Sequence, residues 1–179
     1  MKLIVMRHAA TDLNAKQMLN SRIDEELSAV GLGQLPGLVA SVRDYQFEAI
    51  YASTLKRAVQ TALPIAEAHG LEIVLDERLL EVDCGSFNGK SYDSTIPVFG
   101  MNSRDLLSTY AYDMSEYGGE TYAQVEARIT SFLDDLRKQS YSTVLIVTHG
   151  GIVRVFNYLL TGEKISLTQN GGVKEYELK

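Results

Sequence analysis

Four short aliphatic runs, at 2–6, 48–52, 72–75 and 143–147, alternate with longer stretches in which apolar residues recur at helical spacing. Runs this short, rich in Ile, Val and Leu, predict strands buried on both faces. The first and fourth are the most apolar, with Leu3 to Met6 in one and Val144 to Val147 in the other. Helices are predicted at 28–44, 55–69, 121–138 and 152–160. Thr121 caps the third of these, and Val125, Ile129, Phe132, Leu133 and Leu136 fall on its one apolar face. Gly70 and Gly162 stop the second and fourth. The helix at 28–44 is the least regular, because Gly31, Gly33, Pro36 and Gly37 interrupt it behind its N-cap, Ser28. Residues 173–178 alternate as an edge strand does.

Strands alternating with helices imply βαβ crossovers and a sheet covered on both sides. The expected fold is therefore α/β: a three-layer α/β/α sandwich with a mostly parallel central sheet, in a single domain over 1–179. The segment 85–119 breaks the rhythm. It is rich in Ser, Tyr, Asp and Gly, and helical only near 105–110. It is expected to be an insertion over the strand ends, a lid.

Composition removes several function classes. No apolar run approaches the ~18 residues that cross a bilayer, so no membrane partner is expected. The N-terminal run is too short for an export signal, and the single cysteine, Cys84, allows no internal disulfide. A cytoplasmic location is the expectation. Cys84 reads as a small buried hydrophobe. A net charge of −6 argues against a nucleic-acid partner. A phosphate site in such a chain needs arginines gathered locally against the overall field.

The candidate chemistry sits just past the strands. Of only three histidines, His8 follows the first strand together with Arg7, and His149 follows the fourth, leading into Gly150-Gly151. Ser53, Thr54 and Arg57 follow the second strand, and Glu81 comes soon after the third. In an open α/β sheet, ligands bind in the crevice beyond the carboxyl ends of the strands. Taken singly, each residue has an ordinary explanation: a satisfied core histidine, a solvated helix arginine, a surface acid, a tight glycine turn. Together they form a set suited to phosphoryl transfer through histidine. A neutral imidazole attacks phosphorus, guanidinium forks hold the phosphoryl oxygens, and a carboxylic acid protonates the leaving alkoxide. Such a set needs no metal and no cofactor.

Six blocks, in order, resemble the histidine phosphatase superfamily, in particular its phosphoglycerate mutase-like branch. They are Arg7-His8-Ala9-Ala10-Thr11 with Asn14; Leu27-Ser28 with Gly31 and Gln34; Ser53 to Ala62 around Arg57; Leu80-Glu81 with Gly85, Phe87 and Gly89; Gly118-Gly119-Glu120-Thr121 with Arg128; and Thr148-His149-Gly150-Gly151. The resemblance implies roles. His8 is the nucleophile, and Arg7, Arg57, His149 and Asn14 hold the phosphoryl group beside Gly150. Glu81 is the proton donor and later the base. Arg22, Lys90 and Arg104 are candidates for substrate specificity, and Tyr110, Tyr112, Tyr117 and Tyr122 for packing. The chain departs from the pattern at Ala9 and Ala10, which stand where the family has Gly-Glu. An alanine is mild there only if the backbone keeps a negative φ.

The expected function is a metal-independent phosphatase acting on a small phosphorylated metabolite. The alternatives are an α-ribazole phosphatase, a phosphoglycerate mutase, a phosphohistidine protein phosphatase, or a retired enzyme that only binds phosphorylated ligands. A mutase must shield its phosphohistidine from water, and only the 85–119 segment is available as a cover, so hydrolysis is favoured. The sequence leaves the oligomeric state open.

Overall fold

A computed structural model describes residues 1–179. Its five strands are β1 (Lys2–Arg7), β2 (Ala49–Ala52), β3 (Ile73–Leu75), β4 (Thr143–Thr148) and β5 (Val173–Glu177), in the order β3-β2-β4-β1-β5. All pairings are parallel except β1 with β5. β1 and β4 take the centre because their side chains can be buried on both faces. Alternate residues split between two apolar clusters. Leu3, Val5, Val144 and Ile146 face one, and Ile4, Met6, Leu145 and Val147 face the other.

Each cluster is closed by helices. α1 is a single turn, Asp12–Ala15, and α2 (Ala29–Val42) and α3 (Lys56–His69) follow. Ile65, Ala62 and Val42 from α3 and α2 pack on the second cluster. Two further short helices, α4 (Ile96–Phe99) and α5 (Ser103–Ser108), lie within the 85–119 segment, ahead of α6 (Tyr122–Arg137) and α7 (Gly150–Thr161). Ile129, Phe132, Val153 and Phe156 of α6 and α7 fill the first cluster. The result is the α/β/α layering the sequence implied.

α2 forms where the 28–44 pattern placed it, while α5 and α7 each begin two residues earlier than expected. α2 runs through Pro36, although an interior proline costs about 3 kcal/mol. Its Ser28 cap, which accepts from the Gly31 N–H at 3.1 Å, and its packing onto α3 outweigh that cost. α7 begins at Gly150, two residues earlier than predicted, despite the poor helix propensity of a glycine pair. α5 likewise starts at Ser103 rather than near 105. The four tyrosines pack as expected. The rings of Tyr110 and Tyr112 stand edge-on to Tyr122, and Tyr117 packs on Phe87 and Phe99. No helix is long and apolar enough to cross a membrane.

Candidate active site

The parallel register of the two central strands brings the histidines together. Arg7 pairs with Thr148, so His8 and His149, the next residue of each strand, leave the sheet at one edge. The His8 N–H donates to the Thr148 carbonyl at 2.9 Å. The imidazole centroids are 5.2 Å apart, tilted by 59°.

The His8 ring has one defined tautomer. Its Nδ1 lies 2.7 Å from the Ala9 carbonyl oxygen. A carbonyl can only accept, so Nδ1 carries the proton and Nε2 carries the lone pair. Burial, then the charges of Arg57 and Arg7, hold the His8 pKa well below the ordinary histidine value of 6.5. The ring is therefore neutral. His149 is depressed in the same direction, by burial first and then by Arg57, His8 and Arg7. Its Nε2 bonds Ser53 Oγ at 2.7 Å, and its Nδ1 is buried without a hydrogen-bond partner.

Three arginines lie within this region almost fully buried: Arg7 at 7% exposure, Arg57 at 0% and Arg154 at 4%. Each donates to backbone carbonyls. Arg7 Nη1 reaches Thr168 O at 2.6 Å, Arg57 reaches Ile23 O at 2.6 Å and Ser21 O at 2.8 Å, and Arg154 Nη1 reaches Arg104 O at 3.2 Å. None is paired with a carboxylate, and all three Nε atoms are unpartnered. Burial pushes the Arg57 pKa down to about 10. Buried charge that forms no direct ion pair is costly; Glu81 is the one carboxylate in the lining, and an anion in the cavity would add a second partner.

Glu81 enters the same cavity from the loop after β3. Oε1 accepts from the Val82 N–H at 2.9 Å and Oε2 from the Gly151 N–H at 3.1 Å. The glycine pair is shaped to its neighbours. A β-carbon at Gly150 would come within 2.5 Å of Leu167 and 3.2 Å of Arg7 Nε, and one at Gly151 within 2.5 Å of Glu81 Oε1. Here lies the tertiary reason for beginning α7 with two glycines.

Together these groups line a recess of about 530 Å³, its mouth included. His8, Arg7, Arg57, Glu81 and Asn14 line it, while His149 is fully buried and supports the site from within the protein. Asn14 is held by neighbours, its Oδ1 accepting from Asn170 at 2.8 Å. Of the specificity candidates, only Arg104 reaches the recess. Arg22 pairs with Glu120 at 3.1 Å, and Lys90 lies over the Phe87 ring. Cys84 is 1% exposed and its thiol is pushed up to about 12 by burial, which makes it inert as a nucleophile. Ala9 and Ala10 both avoid the left-handed region, so replacing the glycine costs no backbone strain.

Sequence reasoning missed Arg154, Tyr92, Ser103 and Leu107 as lining residues, whereas Gly151 of the glycine turn does line the recess. Arg154 shares one face with Gly150 and Gly151, at spacings of four and three, only because α7 starts at Gly150 rather than at the expected 152. Tyr92, Ser103 and Leu107 come from the 85–119 segment, whose irregular pattern shows no inward face.

Comparison with known proteins shows the family and the fold. The model of the histidine phosphatase superfamily (branch 1) matches residues 3–178. Phosphoserine phosphatase 1 of Hydrogenobacter thermophilus is 31% identical over 166 residues, covering 92% of this chain and 78% of its own. Among solved structures, a mycobacterial glucosyl-3-phosphoglycerate phosphatase in complex with VO3 superposes with a TM-score of 0.88 at 23% identity, covering 97% of this chain and 91% of its own. A phosphoglycerate mutase from Bacillus anthracis has the same fold, with a TM-score of 0.85 at 22% identity, covering 100% and 91%. The chain belongs to the histidine phosphatase superfamily, as a phosphoric monoester hydrolase.

Proposed function

We propose that this enzyme hydrolyses small phosphomonoesters without a metal, through a phosphohistidine on Nε2 of His8. The observation that carries this reading is the 2.7 Å bond from His8 Nδ1 to the Ala9 carbonyl. It leaves the Nε2 lone pair free in a cavity walled by buried arginines that form no direct ion pair and whose Nε atoms are unpartnered.

The substrate phosphoryl group binds against Arg7 and Arg57, whose unpartnered Nε atoms are free to donate. His149, neutral and bonded to Ser53, offers its free Nδ1 position as a further donor when Nε2 accepts from the serine hydroxyl. Asn14 and the backbone at Gly150 complete the binding set. His8 Nε2 forms a bond to phosphorus while the ester P–O bond breaks. Glu81 hands its proton to the departing alkoxide. Water then attacks the phosphohistidine and gives its proton to Glu81. Inorganic phosphate leaves, and His8 regains its lone pair. The arginines supply the positive charge that a metal supplies in other phosphatases. The 85–119 segment acts as a partial cover over this site, too small to exclude the water that hydrolysis needs. The relative named phosphoserine phosphatase supports hydrolysis as the outcome.

The test is turnover of p-nitrophenyl phosphate with EDTA present, followed by rapid quenching with labelled substrate. The expected result is EDTA-insensitive phosphate release and an acid-labile, base-stable label on the protein that His8→Ala abolishes. Steady turnover by His8→Ala would remove the nucleophile assignment. Loss of activity in EDTA, restored by a metal, would remove the arginine-based mechanism.

A further inference from the structure

The segment between α7 and β5 reaches back under the site. The Arg7 N–H donates to the Gly172 carbonyl at 3.0 Å, and the Gly171 N–H lies 3.1 Å from the Arg7 and His8 carbonyls alike. Gly171 closes this turn with a φ of +73°, in the left-handed region. Arg7 Nη1 reaches the Thr168 carbonyl at 2.6 Å. All of these bonds use backbone atoms of the segment, so none of them needs the side chain of Asn170. Its amide nitrogen instead meets the His8 carbonyl at 3.2 Å, the Ala9 carbonyl at 3.4 Å and Asn14 Oδ1 at 2.8 Å.

We infer that Asn170 is a positioning residue: it turns the Asn14 amide so that an N–H, and not the oxygen, faces the phosphoryl group. This rests on the phosphatase reading, in which Asn14 belongs to the binding set. The two ends of an amide are alike in shape and opposite in chemistry, and an oxygen turned toward an anion repels it. The neighbours decide between them. Backbone carbonyls only accept, so the His8 and Ala9 oxygens fix Nδ2 as the end of Asn170 that faces Asn14. Asn14 answers with Oδ1, which also accepts from the Thr11 N–H at 3.3 Å, and both lone pairs of that oxygen are then taken. Nδ2 is left on the other side, where one N–H donates to Asn20 Oδ1 at 3.3 Å. Asn20 is oriented in turn by a carboxylate, its Nδ2 donating to Glu25 Oε2 at 2.9 Å and to Thr11 Oγ1 at 2.7 Å. Three amides therefore run in one direction, from Asn170 through Asn14 and Asn20 to Glu25. The second N–H of Asn14 is the one left for a ligand, and Asn14 lines the recess with Arg7, His8 and Arg57. Without Asn170, only the two 3.3 Å contacts to Thr11 and Asn20 would oppose a flip of the Asn14 amide.

A double-mutant cycle on the full chain tests this, with orthovanadate as the probe and calorimetry as the readout. Asn170→Ala should weaken vanadate binding by roughly tenfold to a hundredfold, the range of a hydrogen bond to a charged group. In an Asn14→Ala background the same substitution should change binding by less than about twofold, because no amide is left to turn. Asn170→Leu and Asn14→Leu, close to asparagine in shape, replace any alanine variant that does not fold. A merely structural role gives the opposite pattern, since a displaced His8 loop weakens the site whether or not Asn14 is present. A loss carried at full size into the Asn14 variant, or no loss in either background, would therefore overturn the positioning role. Turnover of p-nitrophenyl phosphate by the unsubstituted protein is measured separately. Its absence would end the phosphatase reading, while the vanadate cycle would still decide the role of Asn170.

Discussion

The carboxylate of Glu81 rests against the Cα of Gly151, so closely that a β-carbon there would lie 2.5 Å from Oε1. The same glycine donates its N–H to Oε2 at 3.1 Å. One residue therefore both holds the acid and leaves room for it. Gly151→Ala meets the end of a flexible side chain rather than backbone, and alanine favours the helix by about 1 kcal/mol. The variant should fold. Its carboxylate, pushed aside, should slow hydrolysis of alkyl phosphates on the order of tenfold to a hundredfold, the usual cost of misplacing a reacting group by about an ångström. p-Nitrophenyl phosphate, whose leaving group needs little protonation, should lose much less. An equal loss on both esters would put the proton donor elsewhere.

Two neutral histidines inside the protein set its response to acid. The folded-state pKa values of His8 and His149 are both depressed, chiefly by burial. Below about pH 6.5 the unfolded chain takes up protons that the folded chain refuses, so each histidine removes up to about 1.4 kcal/mol of stability per pH unit. That stability is fully present above about pH 6.5 and declines as the pH falls toward the folded values. Denaturant unfolding between about pH 7.5 and 5 should show this loss, and His149→Gln should flatten it. Activity should follow a different course. Because His8 stays unprotonated in the free enzyme, kcat/KM should show no acid limb centred on the ordinary histidine value. A limb at about pH 6.5 that stays put between substrates whose phosphate groups ionise at different pH would mean that His8 titrates normally.

The convergence of the two histidines was legible because it depends on periodicity alone. Each closes an aliphatic run, and parallel strands paired in register deliver the next residues to one edge. The helices α3 and α6 were legible for the same reason. What escaped the pattern was decided by contacts between distant segments. Nothing local marks Gly150-Gly151 as helical, since their place in α7 is fixed by Arg7, Leu167 and Glu81. The tautomer of His8 depends on one carbonyl in its own turn, and Tyr92, Ser103 and Leu107 reach the recess from a segment whose sequence lacks any regular period.

The loop behind His8 is clamped by the start of α2. The Ala10 carbonyl accepts from the Ser28 N–H at 3.0 Å and from its hydroxyl at 3.1 Å, while the Ala10 N–H donates to Gln34 Oε1 at 2.8 Å. Gly31 makes this approach possible, because a β-carbon there would fall 2.0 Å from the Ala10 oxygen. That obstacle is backbone and cannot swing away. Gly31→Ala should therefore destabilise the protein by roughly 2 kcal/mol, a fall in Tm of about 4–8 °C, despite its better helix propensity. Thermal unfolding at wild-type temperature would show that α2 is free to shift outward.

The loop carrying Glu81 is anchored from beneath by Glu120 and Arg128. Arg128 donates Nε to Glu120 Oε1 at 2.9 Å, Nη2 to the Glu81 carbonyl at 3.3 Å and Nη1 to the Arg78 carbonyl. Glu120 Oε2 accepts from the Asp83 N–H at 2.9 Å and pairs with Arg22 at 3.1 Å. One largely buried carboxylate thus balances two arginines and fixes the backbone on both sides of Val82. Glu120→Gln leaves those arginines short of a counterion and should cost about 1–3 kcal/mol. A purely structural role would end there, with activity per folded molecule unchanged. A positioning role adds a fall in kcat on alkyl phosphates, with KM held, because the bonds that hold Arg7 and Arg57, to Thr168, Ile23 and Ser21, do not pass through this clamp. Measuring kcat and KM on folded Glu120→Gln separates the two, and unchanged kcat would confine the clamp to stability.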